Sequence, residues 1–167
     1  MRAYLAEEYG GPDVLRLRHV DPPRPSSGEV VIRVEATSVN PKDSYDVRGE
    51  PLLARIGHGW RRPRSARRGT DVAGIVADVG TDAEGFAVGS RVYGIATGAF
   101  AEYAATTPDR IAAAPPTIDA PAAAGLPVAG VTALLALPDA MRQLETHRAR
   151  GKIIVDVDGS ARPEATP

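Results

Sequence analysis

Short runs of apolar residues, some continuous and some alternating with polar ones, recur through the first two-thirds of the chain. Ala3-Tyr4-Leu5-Ala6, Leu15-Arg16-Leu17-Arg18-His19-Val20 and Val30-Val31-Ile32-Arg33-Val34-Glu35-Ala36 have the length and period of strands. Gly10-Gly11-Pro12 and the segment from Pro22 to Gly28 punctuate them, because glycine and proline favour turns over ladders. The pattern resumes over Val72 to Val79, Arg91 to Ile95 and Ala101 to Ala105. Closely spaced short strands of this kind predict a mainly β, barrel-like domain.

Helical signals are fewer and come mostly later. Pro41 suits the first turn of a short helix running through Arg48, since its missing N–H has no partner there in any case. Asp119-Ala120-Pro121-Ala122-Ala123-Ala124 reads as a cap, a first-turn proline and helix formers. A second late helix is expected over Val128 to Leu137. A third begins at Pro138-Asp139, with Ala140, Met141 and Leu144 on one face, and Lys152 to Val157 closes the pattern as a strand. One domain over residues 1–157 is therefore predicted, in two stretches, 1–137 and 138–157, with a disordered polar tail at 158–167.

Composition narrows the options. The 167 residues, 43% of them hydrophobic and 25% charged, suffice for one soluble domain with its own core. A net charge of −1 gives no reason to expect nucleic acid or a membrane surface as partner. The chain has no cysteine, which removes disulfides, thiolate chemistry and the commonest zinc ligand. No leader pattern opens the sequence and no apolar run is long enough for a bilayer, so a cytoplasmic location is expected. Basic charge is nonetheless local: Arg55, Arg61, Arg62, Arg64, Arg67 and Arg68 crowd one segment, which could recruit an anionic ligand or protein but is read first as a solvated loop. Arginine far outnumbers lysine, which suggests a bacterial source.

Four stretches carry a family likeness: Gly10-Gly11-Pro12-Asp13-Val14-Leu15, Ser38-Val39-Asn40-Pro41-Lys42-Asp43, Gly69-Thr70-Asp71-Val72-Ala73-Gly74 and Gly89-Ser90-Arg91-Val92-Tyr93-Gly94. With Leu126-Pro127-Val128-Ala129-Gly130-Val131-Thr132-Ala133, they resemble the medium-chain dehydrogenase/reductase superfamily, most closely its zinc-free quinone oxidoreductase branch. The stretch from Asp139 to Val157 is similar to that family's last helix and strand. The resemblance implies a GroES-like partial β-barrel without the family's nucleotide-binding Rossmann domain. In keeping with that, no segment has the order strand, Gly-x-Gly-x-x-Gly turn, helix. Gly69-x4-Gly74 and Gly80-x4-Gly85-x3-Gly89 have other spacings and read as turn positions.

The resemblance also suggests a site. Asn40 falls where zinc-dependent relatives place a cysteine, and Thr70-Asp71 where they place a His-Glu pair. Asn and Thr cannot stand in for a thiolate and an imidazole, so no catalytic zinc is expected. His19, His58 and His147 lack ligand spacing. The cluster Asn40, Lys42, Asp43, Tyr45 and Asp46 lies on one turn and helix. In zinc-free relatives, the matches to Asn40, Asp43 and Tyr45 look toward the nicotinamide and substrate cleft, and the match to Thr132 touches the cofactor. Chemically, an amide and a phenol can donate to a developing enolate or phenolate oxygen, and a carboxylate or phenol can move a proton. Asx side chains also cap helices, so Asn40 and Asp43 have a structural alternative. Thr70, Asp71, Thr97 and Phe100 complete the expected pocket, while Tyr93 and Tyr103 read as core.

The function expected from these features is a cofactor-independent enzyme derived from a quinone or enone oxidoreductase. It would catalyse a non-redox step, such as isomerisation, dehydration, addition or cyclisation, on a polarised carbonyl compound. Asn40 and Tyr45 would steady the oxyanion, and Asp43 or Asp46 would shuttle the proton. Two alternatives stand beside it: NADPH-dependent reduction with weakly held or partner-supplied cofactor, and a non-catalytic module docking through apolar surface that a lost domain once covered. That same surface predicts a homo-oligomer.

Overall fold

The computed structural model describes residues 1–133. Within it, Met1–Val131 make one compact unit, and Thr132 and Ala133 fall to a second. The predicted stretch 138–157, the tail 158–167, His147 and the C-terminal part of the predicted 128–137 helix lie outside the described residues.

Seven strands and three short helices build the first unit, in the mainly β proportion expected. The strands are β1 (Arg2–Leu5), β2 (Arg16–His19), β3 (Val30–Ala36), β4 (Asp71–Val79), β5 (Arg91–Ile95), β6 (Tyr103–Thr106) and β7 (Ile111–Ala113). The helices are α1 (Pro41–Arg48), α2 (Arg55–His58) and α3 (Ala120–Ala124), and residues 127–133 are helical again. Five strands form one antiparallel sheet in the order β6-β3-β4-β5-β7, and β1 pairs with β2 in a separate ribbon. Tyr4 N–H donates to Phe100 O at 2.8 Å and Ala6 N–H to Ala66 O at 2.8 Å, which ties the ribbon to the loops around the sheet.

The central strands have both faces covered, which is why β3 reads as a continuous apolar run at Val30-Val31-Ile32. On one side, Val30, Ile32, Val72, Val76, Val92, Ala96, Ala99 and Ala104 form the main core, with Val34, Val79 and Phe86 packed against it. A smaller cluster seats α3 through Ala123 and Ala124 on Ala73 of β4, with Tyr93 and Ile118 alongside. Alanines allow this close approach, and Asp119 caps the helix by accepting the Ala122 N–H at 2.9 Å. Two register shifts between β3 and β4 bring backbone unusually near at Gly74, where an added Cβ would stand 2.1 Å from Arg33 O.

Three features depart from the sequence reading. β7 and the turn-plus-helix over 52–58 were not expected. Both are short, and β7 exists by pairing with β5, a partner distant in sequence. The basic segment is not uniformly solvated: Arg61, Arg62 and Arg64 are exposed, whereas Arg68 is buried by backbone folding around it.

Candidate active site

The α1 helix begins where the sequence places it, at Pro41, because Asn40 is extended and Asp43 reaches back to accept the Asn40 N–H at 2.8 Å. It ends at Gly49, whose φ of 66° is left-handed and whose missing Cβ leaves room for Tyr9 and Arg55. The Arg55 guanidinium stacks 4.4 Å from the Tyr9 ring centroid. It donates to Gly49 O at 2.8 Å and Arg48 O at 2.9 Å, a cation placed where the last carbonyls of the helix carry negative partial charge.

Behind α1 lies a buried polar network. Asp71, the first residue of β4, is 0% exposed. One carboxylate oxygen accepts from Ser38 Oγ at 2.6 Å and from Asn40 Nδ2 at 2.9 Å, and the other from the Val128 N–H at 3.1 Å. Asp43 accepts from the Thr70 hydroxyl at 2.9 Å as well as from Asn40. A carboxylate at the head of an apolar strand is tolerable only with donors of this number around it.

In front of α1 is a cleft of about 410 Å³. Lys42, Tyr45 and Asp46 line one side of it, and Ile95, Ala96, Thr97 and Gly98 border it from the loop after β5, with Thr70 between. Tyr45 is half-exposed there, and Lys42 and Asp46 form an exposed ion pair one helical turn apart. The remaining walls are basic: Arg55, Arg64, Arg67, Arg68 and Arg110 join Lys42. The carboxylates of Asp46 and Glu50 oppose these six, leaving four net positive charges on the lining of a chain whose total charge is −1.

The structure therefore divides the expected site residues. Lys42, Tyr45, Asp46, Thr70 and Thr97 share the cleft. Asn40, Asp43 and Asp71 do not line it. They are enclosed behind the helix, each held by hydrogen bonds within the network: Asp43 caps the backbone of Asn40, whereas the Asn40 amide donates to Asp71 and Ser38. Phe100 borders a different groove, with Tyr4, Leu17 and Val39, and its ring packs against Gly69, where an added Cβ would stand 2.5 Å from it. Thr132 is exposed and helical in the second unit. Sequence reasoning did not single out Tyr9 or Arg110 as parts of the cleft, and it named Arg55, Arg64, Arg67 and Arg68 only as a basic segment read first as a solvated loop. Arginine so close to a Gly-Thr-Asp strand start was the available signal for Arg68. Among the described residues, no three of His, Asp and Glu gather as a metal site, and no helix is long and apolar enough to cross a membrane.

Comparison with known proteins places this architecture. Residues 26–116 match the alcohol dehydrogenase GroES-like domain. Mouse quinone oxidoreductase is 38% identical over 165 residues, covering 96% of this chain and 46% of the mouse protein. The structure of the quinone oxidoreductase from Coxiella burnetii superposes with a TM-score of 0.73 at 31% identity, over 84% of this chain and 45% of that one. A mycobacterial protein solved in complex with NADPH gives 0.70 at 33% identity, over 82% and 40%. The chain spans less than half the length of the curated relatives it matches. With the family model covering more than half of its residues, the chain belongs to the GroES-like alcohol dehydrogenase family, in the quinone oxidoreductase lineage of the medium-chain dehydrogenases/reductases.

Proposed function

We propose that the cleft is the substrate side of a quinone or enone reductase site. A carbonyl compound lies between α1 and the 95–98 loop with its oxygen toward Tyr45. The observation that carries this reading is the half-exposed Tyr45 phenol on the cleft wall, beside the Lys42 ammonium on the same helix. As the substrate takes up electron density, negative charge grows on its oxygen, and donors held in place for that charge stabilise the transition state more than the ground state. Tyr45 donates the hydrogen bond, Lys42 supplies positive charge, and Asp46, paired with Lys42, fixes the ammonium in reach of the cleft. The buried pair Asn40 and Asp43 act as positioning residues by holding the start of α1 against β4.

Reduction requires a hydride donor, and NADPH is the one the family implies. The described residues do not form a dinucleotide site. The N-terminus of α1, which could face a pyrophosphate, is occupied by its own Asp43 carboxylate, and the sequence contains no Gly-x-Gly-x-x-Gly turn. The same donors, Tyr45 and Lys42 on the cleft wall, would also serve a cofactor-independent isomerisation or addition, which is the second reading.

The test is turnover of a para-quinone and of a 2-alkenal, with and without NADPH, by the protein and by Tyr45→Phe. Tyr45→Phe is expected to lower kcat by about a hundredfold, the cost of one oxyanion donor, with little change in KM. Unchanged kcat in the variant removes Tyr45 from the mechanism. Product formation without NADPH selects the non-redox reading.

A further inference from the structure

The cleft holds a cation that the reductase reading leaves without a purpose. Among the described residues, ion pairs join Arg2 to Glu102, Arg33 to Glu35 and Lys42 to Asp46, so none of the cleft arginines touches a carboxylate. Arg68 is the most enclosed of them, at 8% exposure. Its Nη1 donates to Ser65 O at 2.6 Å and Arg67 O at 2.8 Å, and its Nη2 to Ala6 O at 3.3 Å. Those carbonyls fix the plane of the guanidinium without neutralising it, and its buried Nε meets no acceptor. Burial pulls the Arg68 pKa below the ordinary arginine value, against the opposing pull of Asp46 and Tyr9. An immobilised guanidinium short of negative charge, on the wall of a cavity, is the arrangement that recruits carboxylate or phosphate oxygens.

Building on the functional reading above, we propose that the substrate of this cleft carries an oxyanion group, a carboxylate or a phosphate, held by Arg68 with Arg64 and Arg67 beside it. The carbonyl to be activated then points to Tyr45. Neutral quinones and simple alkenals would be poor substrates for want of this anchor. Four net positive charges on the lining also draw an anion in from solution, an effect that added salt weakens.

Calorimetry on the full chain tests this with four probes: inorganic phosphate, fumarate, the neutral dimethyl fumarate, and NADPH. Phosphate or fumarate is expected to bind and the diester not. A fumarate preference identifies the group as a carboxylate, and a phosphate preference as a phosphoryl group. Arg68→Gln should weaken anion binding by about tenfold or more, the loss of a charge-assisted hydrogen bond. Arg24→Gln, outside the cleft, should leave it unchanged. Because Arg68 is buried, the exposed Arg64→Gln serves as a second variant, with a loss of about threefold expected for a screened charge. Failure of both anions to bind, or binding indifferent to both cleft variants, overturns the proposal. So does NADPH displacing phosphate with the same dependence on Arg68, which would assign the oxyanion to the nucleotide. Anion binding in a protein inert toward every quinone and enone would retire the reductase reading and leave the anion site standing. Fast turnover of neutral enones without anion binding would do the reverse.

Discussion

Replacing Asp71 by Asn tests the network that holds α1 in place. The two side chains are nearly isosteric, so packing around β4 is preserved and only the hydrogen-bonding chemistry changes. In the protein, both carboxylate oxygens accept: one from Ser38 and Asn40, the other from the Val128 N–H. Asn has one acceptor and one donor end. Whichever way the amide turns, a donor faces a donor. If its oxygen keeps Ser38 and Asn40, the Val128 N–H is orphaned at a cost of about 1–3 kcal/mol, and two charge-assisted bonds fall to ordinary strength, about 1 kcal/mol lost on each. Relief of the buried charge offsets part of this, which leaves a destabilisation of about 3 kcal/mol. With a urea slope of about 2 kcal/mol per M, the midpoint falls by about 1.5 M. Asp78→Asn on the same strand is the control. Asp78 is exposed and accepts only the neighbouring Val79 N–H, a bond that Asn can keep, so its cost is within about 0.5 kcal/mol. Hydrogen exchange at the Val128 amide should accelerate in the Asp71 variant alone. A midpoint shift matching the Asp78 control would refute the view that this carboxylate organises the site.

Two further outcomes follow from local geometry. Gly74→Ala should destabilise the domain by about 2–4 kcal/mol, because its Cβ would meet the β3 backbone at Arg33 and Glu35, whereas Gly11→Ala, with nothing within 4 Å, should cost less than about 1 kcal/mol; chemical denaturation of the pair decides it. Glu102 accepts from the Arg2 backbone N–H at 2.9 Å and from Arg2 Nε at 2.8 Å, which holds its pKa below the ordinary glutamate value. Its small contribution is present above the ordinary value and disappears as pH falls through the lowered one. A carboxyl-carbon NMR titration should therefore find a depressed midpoint that moves upward in Arg2→Gln.

The elements legible in the sequence are those whose signals are local. Asn40-Pro41 opens α1 and Gly49 closes it within one short stretch. Asp119 and Pro121 do the same for α3, and the apolar runs of β3, β4 and β5 stand out without reference to their neighbours. What the sequence could not supply depends on partners far along the chain. β7 has only three residues and is a strand because β5 offers it an edge. Arg68 reads as the last charge of a solvated run until Ala6 O, 62 residues earlier, accepts from it. For Asn40 and Asp43, chemistry alone allowed either capping or catalysis. In the structure the buried Asp71 carboxylate accepts from the Asn40 amide, Asp43 accepts the Asn40 N–H at the start of the helix, and Thr70 donates to Asp43.

The two sides of α1 explain how a site can be rigid and still open to change. Positions 40, 43 and 47 are buried, and 42, 45 and 46 meet the cleft, the alternation expected of a helix lying on a surface. On its buried side only Val47 is apolar, so the helix is held mainly by hydrogen bonds of fixed direction to Asp71 and Thr70 and by the Arg55 clamp at its other end. Directional bonds set the rotation of a helix about its axis more tightly than an apolar stripe would, because a slip of one residue orphans several buried groups at once. That rotation is what aims Tyr45 into the cleft. Substitution at 42, 45 or 46 changes the chemistry offered to a substrate with little cost to the fold, whereas substitution at 40, 43 or 71 moves the whole wall. Activity should then depend on the buried carboxylates through KM and kcat together, and on Tyr45 through kcat.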